Sequence, residues 1–184
     1  MEYRLDIFGY MPEPELRQIS NWAKKVPNNG VIVEIGSFLG RSSVCWAMSA
    51  HNSVKIYCID RFGVHYINST GETFDSDTVF KQNTESFPNV VMIKGSSPHD
   101  IDYPGDKIDV VFLDAAHKNP DDWNNIEFFL PHIKNGGMLC GHDYCDDAFP
   151  DVIENVIRLE KQLGIPVTLY EGTTLWSFNI NREI

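Results

Sequence analysis

Four side chains that can carry out acid–base chemistry or bind a metal stand where apolar stretches of the sequence end. Asp114 ends one such stretch and His117 lies three residues later, while His142 and Asp143 end another. An imidazole that titrates near neutral pH can remove a proton from a hydroxyl group. Two carboxylates that face one cavity repel each other unless a cation or a proton lies between them. These residues therefore indicate proton transfer beside a bound cation, unless His142 and Asp143 only shape their loop.

A loop with two glycines follows an earlier apolar stretch, Val31–Ile35. Gly36 permits a tight turn, Gly40 permits a ligand to approach the backbone, and the next helix would present unpaired N–H groups. Asp60 ends the following apolar stretch, where a carboxylate can accept hydrogen bonds from ribose hydroxyls. The loop lacks the second glycine of the dinucleotide fingerprint, because its two glycines have the spacing G-x-x-x-G and not G-x-G-x-x-G. The pattern favours a nucleoside without a diphosphate.

Each of these residues also has a purely structural interpretation. Gly36 and Gly40 could form only a tight turn, and Asp60 could cap the next element, as aspartate often does. Glu34 lies within an apolar stretch, where an unpaired carboxylate is costly. It either shapes the glycine loop through hydrogen bonds or contacts the amino end of a bound cofactor.

Short stretches rich in β-branched residues alternate with helical periods along the chain. They are nearly continuous in apolar residues, as strands covered on both faces must be. The stretches are Val31–Ile35, Val54–Ile59, Val90–Ile93, Ile108–Leu113 and Met138–Cys140. This alternation predicts an α/β fold, a doubly wound, mostly parallel, Rossmann-like sheet with helices on both faces. Ligands of such sheets bind beyond the carboxyl ends of the strands, where the residues above stand.

Amphipathic periods predict the helices. One apolar stripe precedes the first strand, one follows the fourth and one follows the fifth. The stripes are Leu16, Ile19, Trp22, Ala23, Val26; Trp123, Ile126, Leu130, Ile133; and Val152, Val156, Leu159, Leu163. Less regular helices are expected at Ser42–Ala50 and Ser76–Phe87. Two close strands, Val167–Tyr170 and Thr173–Phe178, predict a hairpin that makes the seventh strand antiparallel.

Length and composition narrow the class of protein. The 184 residues predict one domain, 1–184, with an N-terminal helical segment at 1–29 and a Rossmann-like core at 30–184. With 15 basic and 26 acidic side chains the net charge is −11, which argues against nucleic acid or an anionic membrane as partner. The lack of a long apolar stretch or a signal-peptide pattern predicts a cytoplasmic protein. The cysteines form no CxxC pair and are expected to be reduced: Cys45, Cys58, Cys140 and Cys145.

The sequence resembles the class I S-adenosylmethionine-dependent methyltransferases over roughly residues 30–180. Val33–Gly40 is similar to their first motif, Ile59–Arg61 to their second and Ile93–Ser97 to their third. Val111–His117 together with Gly136–Tyr144 resembles a narrower branch. This branch contains magnesium-dependent O-methyltransferases of small molecules, including sugars, and their cephalosporin-hydroxylase-like relatives.

The resemblance implies a site for each substrate. It implies that S-adenosylmethionine is bound by Glu34, Gly36, Ser37, Gly40, Arg41, Ser42, Asp60, Arg61, Ser96, Ser97 and Asp114. It also implies that His117 is the general base, and that Asp114, His142 and Asp143 hold a divalent cation, magnesium or manganese. The family has an acidic residue where this chain has His142, and imidazole suits manganese better than magnesium. Ser96 and Ser97 could instead cap a short helix that begins at Pro98.

The acceptor is expected to be a small molecule, neutral or cationic. The segment Arg61–Asp77 is longer than a usual strand-to-helix connection, and its aromatic residues predict a lid over the acceptor. Tyr144 and Trp123 are expected to line the same cavity. Two rival functions stay open, a nicotinamide-dependent oxidoreductase and a non-catalytic nucleoside-binding module. The sequence is compatible with a homo-oligomer and does not determine the oligomeric state.

Overall fold

Helices and strands alternate in the computed structural model, which describes residues 3–66, 73–145 and 147–181. The helices are α1 (Glu13–Ala23), α2 (Arg41–Ser49), α3 (Ser76–Thr84), α4 (Asp121–Phe129) and α5 (Pro150–Leu163), with a 3-10 turn at Leu130–His132. The strands are β1 (Val31–Ile35), β2 (Lys55–Asp60), β3 (Val64–Tyr66), β4 (Thr73–Asp75), β5 (Val90–Lys94), β6 (Ile108–Leu113), β7 (Ile133–Gly141), β8 (Thr168–Leu169) and β9 (Trp176–Ile180).

Seven of these strands form one sheet in the order β5-β2-β1-β6-β7-β9-β8. The first five are parallel to one another, and β9 pairs antiparallel with β7. The prediction of a doubly wound, mostly parallel, seven-stranded sheet with an antiparallel last strand is confirmed. The strand order reverses between β1 and β6. The crevice beyond the carboxyl ends of these two strands is therefore where a ligand is expected.

Helices cover both faces of the sheet. Successive residues of a strand point to opposite faces, so strands that are apolar throughout must be covered on both. Ile32 and Phe112 belong to the apolar cluster that includes α1 and α2, whereas Val33 and Val111 belong to the cluster that includes α4 and α5. Free thiols at three of the four cysteines are buried, as expected of small hydrophobic side chains: Cys45, Cys58 and Cys140. None of the described helices is both long and apolar enough to cross a lipid bilayer.

The fourth predicted helix ends earlier than its apolar stripe suggests. Pro131 has no backbone N–H group to continue α4, so the chain turns at Leu130–His132. Ile133 then enters the sheet opposite Ile108. As a result β7 begins before the predicted start at Met138, and the last two residues of the stripe, Leu130 and Ile133, are not α-helical.

One hairpin differs in detail from the prediction, and a second one was not predicted. The terminal hairpin is confirmed, but its strands are shorter and residues 170–175 form its turn. Both the N–H and the hydroxyl of Thr173 donate to the carbonyl of Tyr170, which closes this turn. The long segment after β2 contains a second antiparallel hairpin, β3 with β4, that the sequence analysis did not predict. Residues 67–72, the middle of the predicted lid, lie outside the described residues.

Candidate active site

The glycine loop after β1 meets the end of β6 at the reversal point. The N–H group of Asp114 donates to the carbonyl of Ile35 over 2.8 Å, which places the two strand ends side by side. Gly36 has a φ of +94°, and a Cβ atom there would lie 2.0 Å from the carbonyl oxygen of Asp114. Only glycine has no Cβ atom to meet this carbonyl and also adopts a positive φ readily.

Two cavities flank this contact and share Gly36, Phe38 and Asp114 as a common wall. The larger cavity has a volume of about 580 Å³, and the smaller one about 260 Å³. The larger is lined by Phe8, Gly9, Tyr10, Met11, Gly36, Ser37, Phe38, Leu39, Arg41, Ser42, Asp114, His117, His142, Asp143 and Phe149. The smaller is lined by Ile35, Gly36, Phe38, Ile59, Asp60, Arg61, Gly95, Ser96, Ser97, Asp114, Ala115, Ala116, Asp121 and Asn125.

The smaller cavity contains part of the predicted cofactor site, namely Gly36, Asp60, Arg61, Ser96, Ser97 and Asp114. Asp60 accepts a hydrogen bond from the N–H of Phe38 on one carboxylate oxygen and from the N–H of Phe62 on the other, both over 2.8 Å. Each oxygen has a second lone pair, so the carboxylate can both anchor the two loops and accept ribose hydroxyls. Ser97 donates to the amide oxygen of Asn125 over 2.6 Å. The segment after Ser97 is a turn and not the helix considered above.

Glu34 lies beneath the glycine loop and lines neither cavity. Its side chain is fully buried, and one carboxylate oxygen accepts the hydroxyls of Ser37 and Ser43. Burial raises the pKa of Glu34, and these hydroxyls oppose that rise. Of the two interpretations left open by the sequence, the structure favours the one in which Glu34 shapes the loop.

Gly40, which precedes α2, and the first two residues of α2, Arg41 and Ser42, have different surroundings. Gly40, with a φ of +88°, lines neither cavity, and a Cβ atom there would point at the ring of Phe80. Ser42 lines the larger cavity. The guanidinium group of Arg41 donates to the carbonyl oxygens of Leu5, Ile7 and Met11. Arg41 therefore holds the N-terminal segment against the larger cavity, a contact that the sequence analysis missed.

The larger cavity brings together all four residues predicted to carry the chemistry. His117 Nδ1 lies 3.3 Å from Asp143 Oδ2. His142 Nδ1 lies 3.1 Å from Asp143 Oδ1 and 3.4 Å from Asp114 Oδ1. Within the described part of the chain, the residues whose ligating atoms cluster within 4.8 Å of one another are Asp114, His117 and Asp143. This set differs from the predicted metal set, because it contains His117 instead of His142.

His142 is held on its other side by a residue that the sequence analysis missed. Its Nε2 lies 2.7 Å from Oε2 of Glu15, which is 3% exposed on α1. The other oxygen of Glu15 accepts the N–H of Thr174 over 2.9 Å and its hydroxyl over 3.2 Å. The sequence did contain a signal for this contact. Glu15 lies four positions before Ile19, so it falls on the apolar side of α1, where an acidic residue indicates a buried partner. The role of His142 as a metal ligand stays a prediction.

The four groups have very different pKa values. Burial lowers the pKa of His142, but hydrogen bonds to Asp114, Asp143 and Glu15 outweigh it and raise the pKa to about 12. Burial raises the pKa of Asp114 to about 7, against the opposing effect of His142. Burial also acts to raise the pKa of Asp143, but there the hydrogen bond and the charge of His142 prevail and lower it. Burial lowers the pKa of His117, so its imidazole is neutral at pH 7.

Aromatic rings form much of the remaining wall of the larger cavity. Phe8, Tyr10 and Phe38 form a cluster with centroid distances of 5.7–6.2 Å. Phe149 packs on the ring of His117 at 4.5 Å. The predicted lining residues Tyr144 and Trp123 are not part of this wall.

A family model described as a methyltransferase domain matches residues 33–144. The chain belongs to this methyltransferase family. Membership decides against the nicotinamide-dependent oxidoreductase, and S-adenosylmethionine is the cofactor expected of the family. A comparison with curated proteins finds no significant match.

Solved structures share the fold of this methyltransferase. A provisionally assigned caffeoyl-CoA O-methyltransferase from Staphylococcus aureus has a TM-score of 0.72 at 18% identity, covering 97% of this chain and 88% of that chain. An rRNA methylase from Streptococcus thermophilus has a TM-score of 0.67 at 18% identity, covering 95% and 100%. The O-methyltransferase NovP has a TM-score of 0.64 at 16% identity, covering 91% and 79%. At such identities the likeness establishes the fold and not the acceptor.

Proposed function

We propose that this methyltransferase transfers the methyl group of S-adenosylmethionine to a hydroxyl group of a small molecule. The observation that carries the proposal is the common wall of the two cavities, at which Gly36 and Asp114 meet. A nucleoside in the smaller cavity and an acceptor in the larger one would meet at this wall. Holding two reactants in such an arrangement can contribute ~7–11 kcal/mol to catalysis.

The cofactor is proposed to lie along the glycine loop. Asp60 would accept its ribose hydroxyls, and Ser97, which lines the same cavity, would lie near the adenine. The methionine part would pass Gly36 toward Ser42 and the first turn of α2. In this orientation the sulfonium methyl group would face the larger cavity.

His117 is the proposed base. The acceptor oxygen would attack the methyl carbon, forming a C–O bond as the C–S bond breaks and its electron pair passes to sulfur, which leaves S-adenosylhomocysteine. The imidazole of His117 would receive the hydroxyl proton. The low pKa of His117 supplies a neutral imidazole at pH 7, and Asp143 beside it stabilises the imidazolium that forms.

A small acceptor without negative charge is favoured by the surroundings of the site. The wall of the larger cavity carries Asp114 and Asp143, and the guanidinium group of Arg41 is occupied by backbone carbonyls. The net charge of −11 disfavours a polyanion such as RNA. The aromatic rings of Phe8, Tyr10 and Phe38 offer an apolar surface to the rest of the acceptor.

The proposal is tested by cofactor binding followed by methyl transfer. Calorimetry is expected to show binding of S-adenosylhomocysteine and none of NAD. With labelled S-adenosylmethionine, label is expected in neutral hydroxyl compounds and not in rRNA. Binding without transfer to any member of a broad hydroxyl panel would support a non-catalytic nucleoside-binding module instead, and transfer to rRNA would contradict the assignment of the acceptor.

Replacing Asp60 with alanine is expected to weaken both the fold and cofactor binding. Loss of hydrogen bonds to the charged carboxylate should cost about 1.5–3 kcal/mol in cofactor affinity. The melting temperature should also fall, because Asp60 anchors the N–H groups of Phe38 and Phe62. Calorimetry well below the melting temperature separates the two effects.

A matched control for Asp60 is available at the start of α3. Asp75 also accepts a backbone N–H group, that of Asp77, but lines neither cavity. Asp75→Ala should lower the melting temperature and leave the affinity for S-adenosylhomocysteine unchanged. Unchanged affinity in Asp60→Ala as well would remove Asp60 from the cofactor site.

The rate of the chemical step is expected to rise with pH, with a midpoint below the usual histidine pKa of about 6.5. Burial lowers the pKa of His117, Asp143 opposes this, and the charge of His142 adds to the lowering. The base is therefore mostly neutral at pH 7. Single-turnover rates between pH 5 and 9 provide the measurement, and a rate that still climbs well above neutral pH would exclude His117 as the base.

A further inference from the structure

Asn155 is a buried polar residue that the proposed reaction does not use. It lies on α5 between Val152 and Val156, within the apolar stripe of that helix, and it is 1% exposed. Burying a side-chain amide is costly unless its polar atoms find hydrogen-bond partners. The partners of this amide therefore indicate which part of the molecule Asn155 serves.

The amide of Asn155 binds the segment that carries the proposed base. Its Nδ2 donates to Oδ1 of Asn119 and to Oδ2 of Asp122, each over 2.8 Å. Asn119 lies two residues after His117 in the connection between β6 and α4, and Asp122 lies in the first turn of α4. An amide NH₂ group has two hydrogens, so these two bonds use its whole donor capacity. One side chain of α5 thus ties the end of the connection to the helix that follows it.

Two further contacts link α5 to the same segment. Oδ2 of Asp151 accepts the backbone N–H of Asn119 over 2.9 Å. Asp151 and Asn155 are four positions apart, so they lie on the same face of α5. Phe149, the N-cap residue of α5, packs its ring on the imidazole of His117 at a centroid distance of 4.5 Å. The beginning of α5 therefore holds both the backbone near His117 and the ring itself.

The place of His117 in the chain makes such support important. His117 belongs to neither a strand nor a helix, so the hydrogen bonds of a regular element do not fix its backbone. A general base acts only when its nitrogen lies within hydrogen-bond distance of the proton that it removes. A displacement of about 1 Å can slow an enzymatic reaction by about 10²-fold. Residues that hold this connection can therefore control the rate without contacting either substrate.

We propose that Asn155 is a positioning residue that sets where the imidazole of His117 lies in the larger cavity. It acts through Asn119 and Asp122, and it lines neither cavity itself. Because α5 follows the last residue that the family model matches, this support comes from outside the matched segment. The kinetic part of the proposal rests on the proposed function, whereas the placement of the ring is measurable without any reaction.

Nuclear magnetic resonance tests the placement of His117. The full chain is labelled with ¹³C at Cε1 of its histidines and studied at one fixed pH, and His117→Gln assigns the His117 signal by its loss. Asn155→Ala is expected to shift this signal by more than its linewidth, because the ring current from Phe149 depends on the distance and angle between the two rings. The signal of the exposed His51 should not move. An unchanged His117 signal in folded Asn155→Ala would overturn the proposal.

A double-mutant cycle tests the kinetic part, with an acceptor found by the labelling assay above. Asn155→Ala alone is expected to lower kcat by about tenfold to 10²-fold, with unchanged affinity for S-adenosylhomocysteine. In the His117→Gln protein the same substitution should lower kcat no further, because the group that Asn155 positions is already gone. An equal loss of kcat in both proteins would show that Asn155 supports the fold in general, and would contradict the proposal.

Asn89→Ala is the matched control. The amide of Asn89 also ties two segments together, because its Nδ2 donates to the carbonyl of Val54 over 2.9 Å. This contact lies before the first residues of β5 and β2, and Asn89 lines neither cavity. Its replacement should lower the free energy of unfolding while changing neither the His117 signal nor kcat.

A second variant covers the case in which Asn155→Ala does not fold. Asn119→Ala removes one of the two bonds from the exposed side of the connection, and it should shift the His117 signal in the same way. An unchanged signal in that protein would overturn the proposal. A shifted His117 signal without methyl transfer by any of the proteins would count against the proposed function and support the placement of His117 by Asn155.

Discussion

Replacing His117 with glutamine is expected to lower kcat for methyl transfer by about 10²–10⁴-fold, the range typical of a lost general base. Glutamine keeps a polar group of similar size beside Asp143 but cannot accept the hydroxyl proton. Binding of S-adenosylhomocysteine should change little, because its nucleoside is proposed to lie in the smaller cavity, which His117 does not line. Single-turnover kinetics with saturating cofactor measure the effect on the chemical step.

His51→Gln provides the control for this substitution. His51 is exposed in the connection between α2 and β2, where its ring contacts Ser53. Its replacement should alter neither the rate nor the melting temperature. A His117→Gln protein that retains most of its activity would show that another group, or solvent, removes the proton.

The second large effect is expected at Gly36. Gly36→Ala forces a side chain into a left-handed backbone conformation, at about 1–2 kcal/mol, and into overlap with the carbonyl of Asp114, at about 1–3 kcal/mol more. The loop can relieve the overlap only by moving away from β6, which displaces the common wall of both cavities. Cofactor affinity should therefore fall sharply along with the free energy of unfolding. Chemical denaturation and calorimetry measure the two quantities.

Gly105→Ala separates the two causes. Gly105 also has a positive φ, +79°, but a Cβ atom there would meet nothing within 4 Å. This control should show the backbone cost alone and no change in cofactor affinity. If Gly36→Ala resembled Gly105→Ala in both measurements, the close approach of the glycine loop to Asp114 would not matter for binding.

Much of the scaffold is readable from local patterns. Nearly continuous apolar stretches separated by helical periods identify parallel strands covered on both faces, and the confirmed sheet follows from them. Because parallel strands end at the same edge of a sheet, the residues that follow each stretch are expected to lie together. This rule alone brings Gly36, Asp60, Asp114 and His117 to one crevice. Local signals also predict the terminal hairpin, although hydrogen bonds between Thr173 and Tyr170 set its bounds.

Contacts between distant polar groups were not predictable in the same way. Arg41 has the sequence position of a cofactor ligand, yet it binds carbonyl groups of the N-terminal segment. Gly40 has the spacing of a ligand-binding glycine, yet its α-carbon faces Phe80. The direction in which each group points depends on how α1, α2 and α3 pack, and sequence spacing does not contain that information.

The amino-acid sequence by itself determined the fold class, the family resemblance and the chemical character of the site. Periodicity and the ends of strands are local properties, and they suffice for these conclusions. Only the tertiary structure decided what surrounds His142. Glu15 is 127 positions away in the chain, and it reaches the imidazole because folding brings this part of α1 to the residue that follows β7. Such partners are brought together only by folding, and they set the orientation and the pKa of the imidazole.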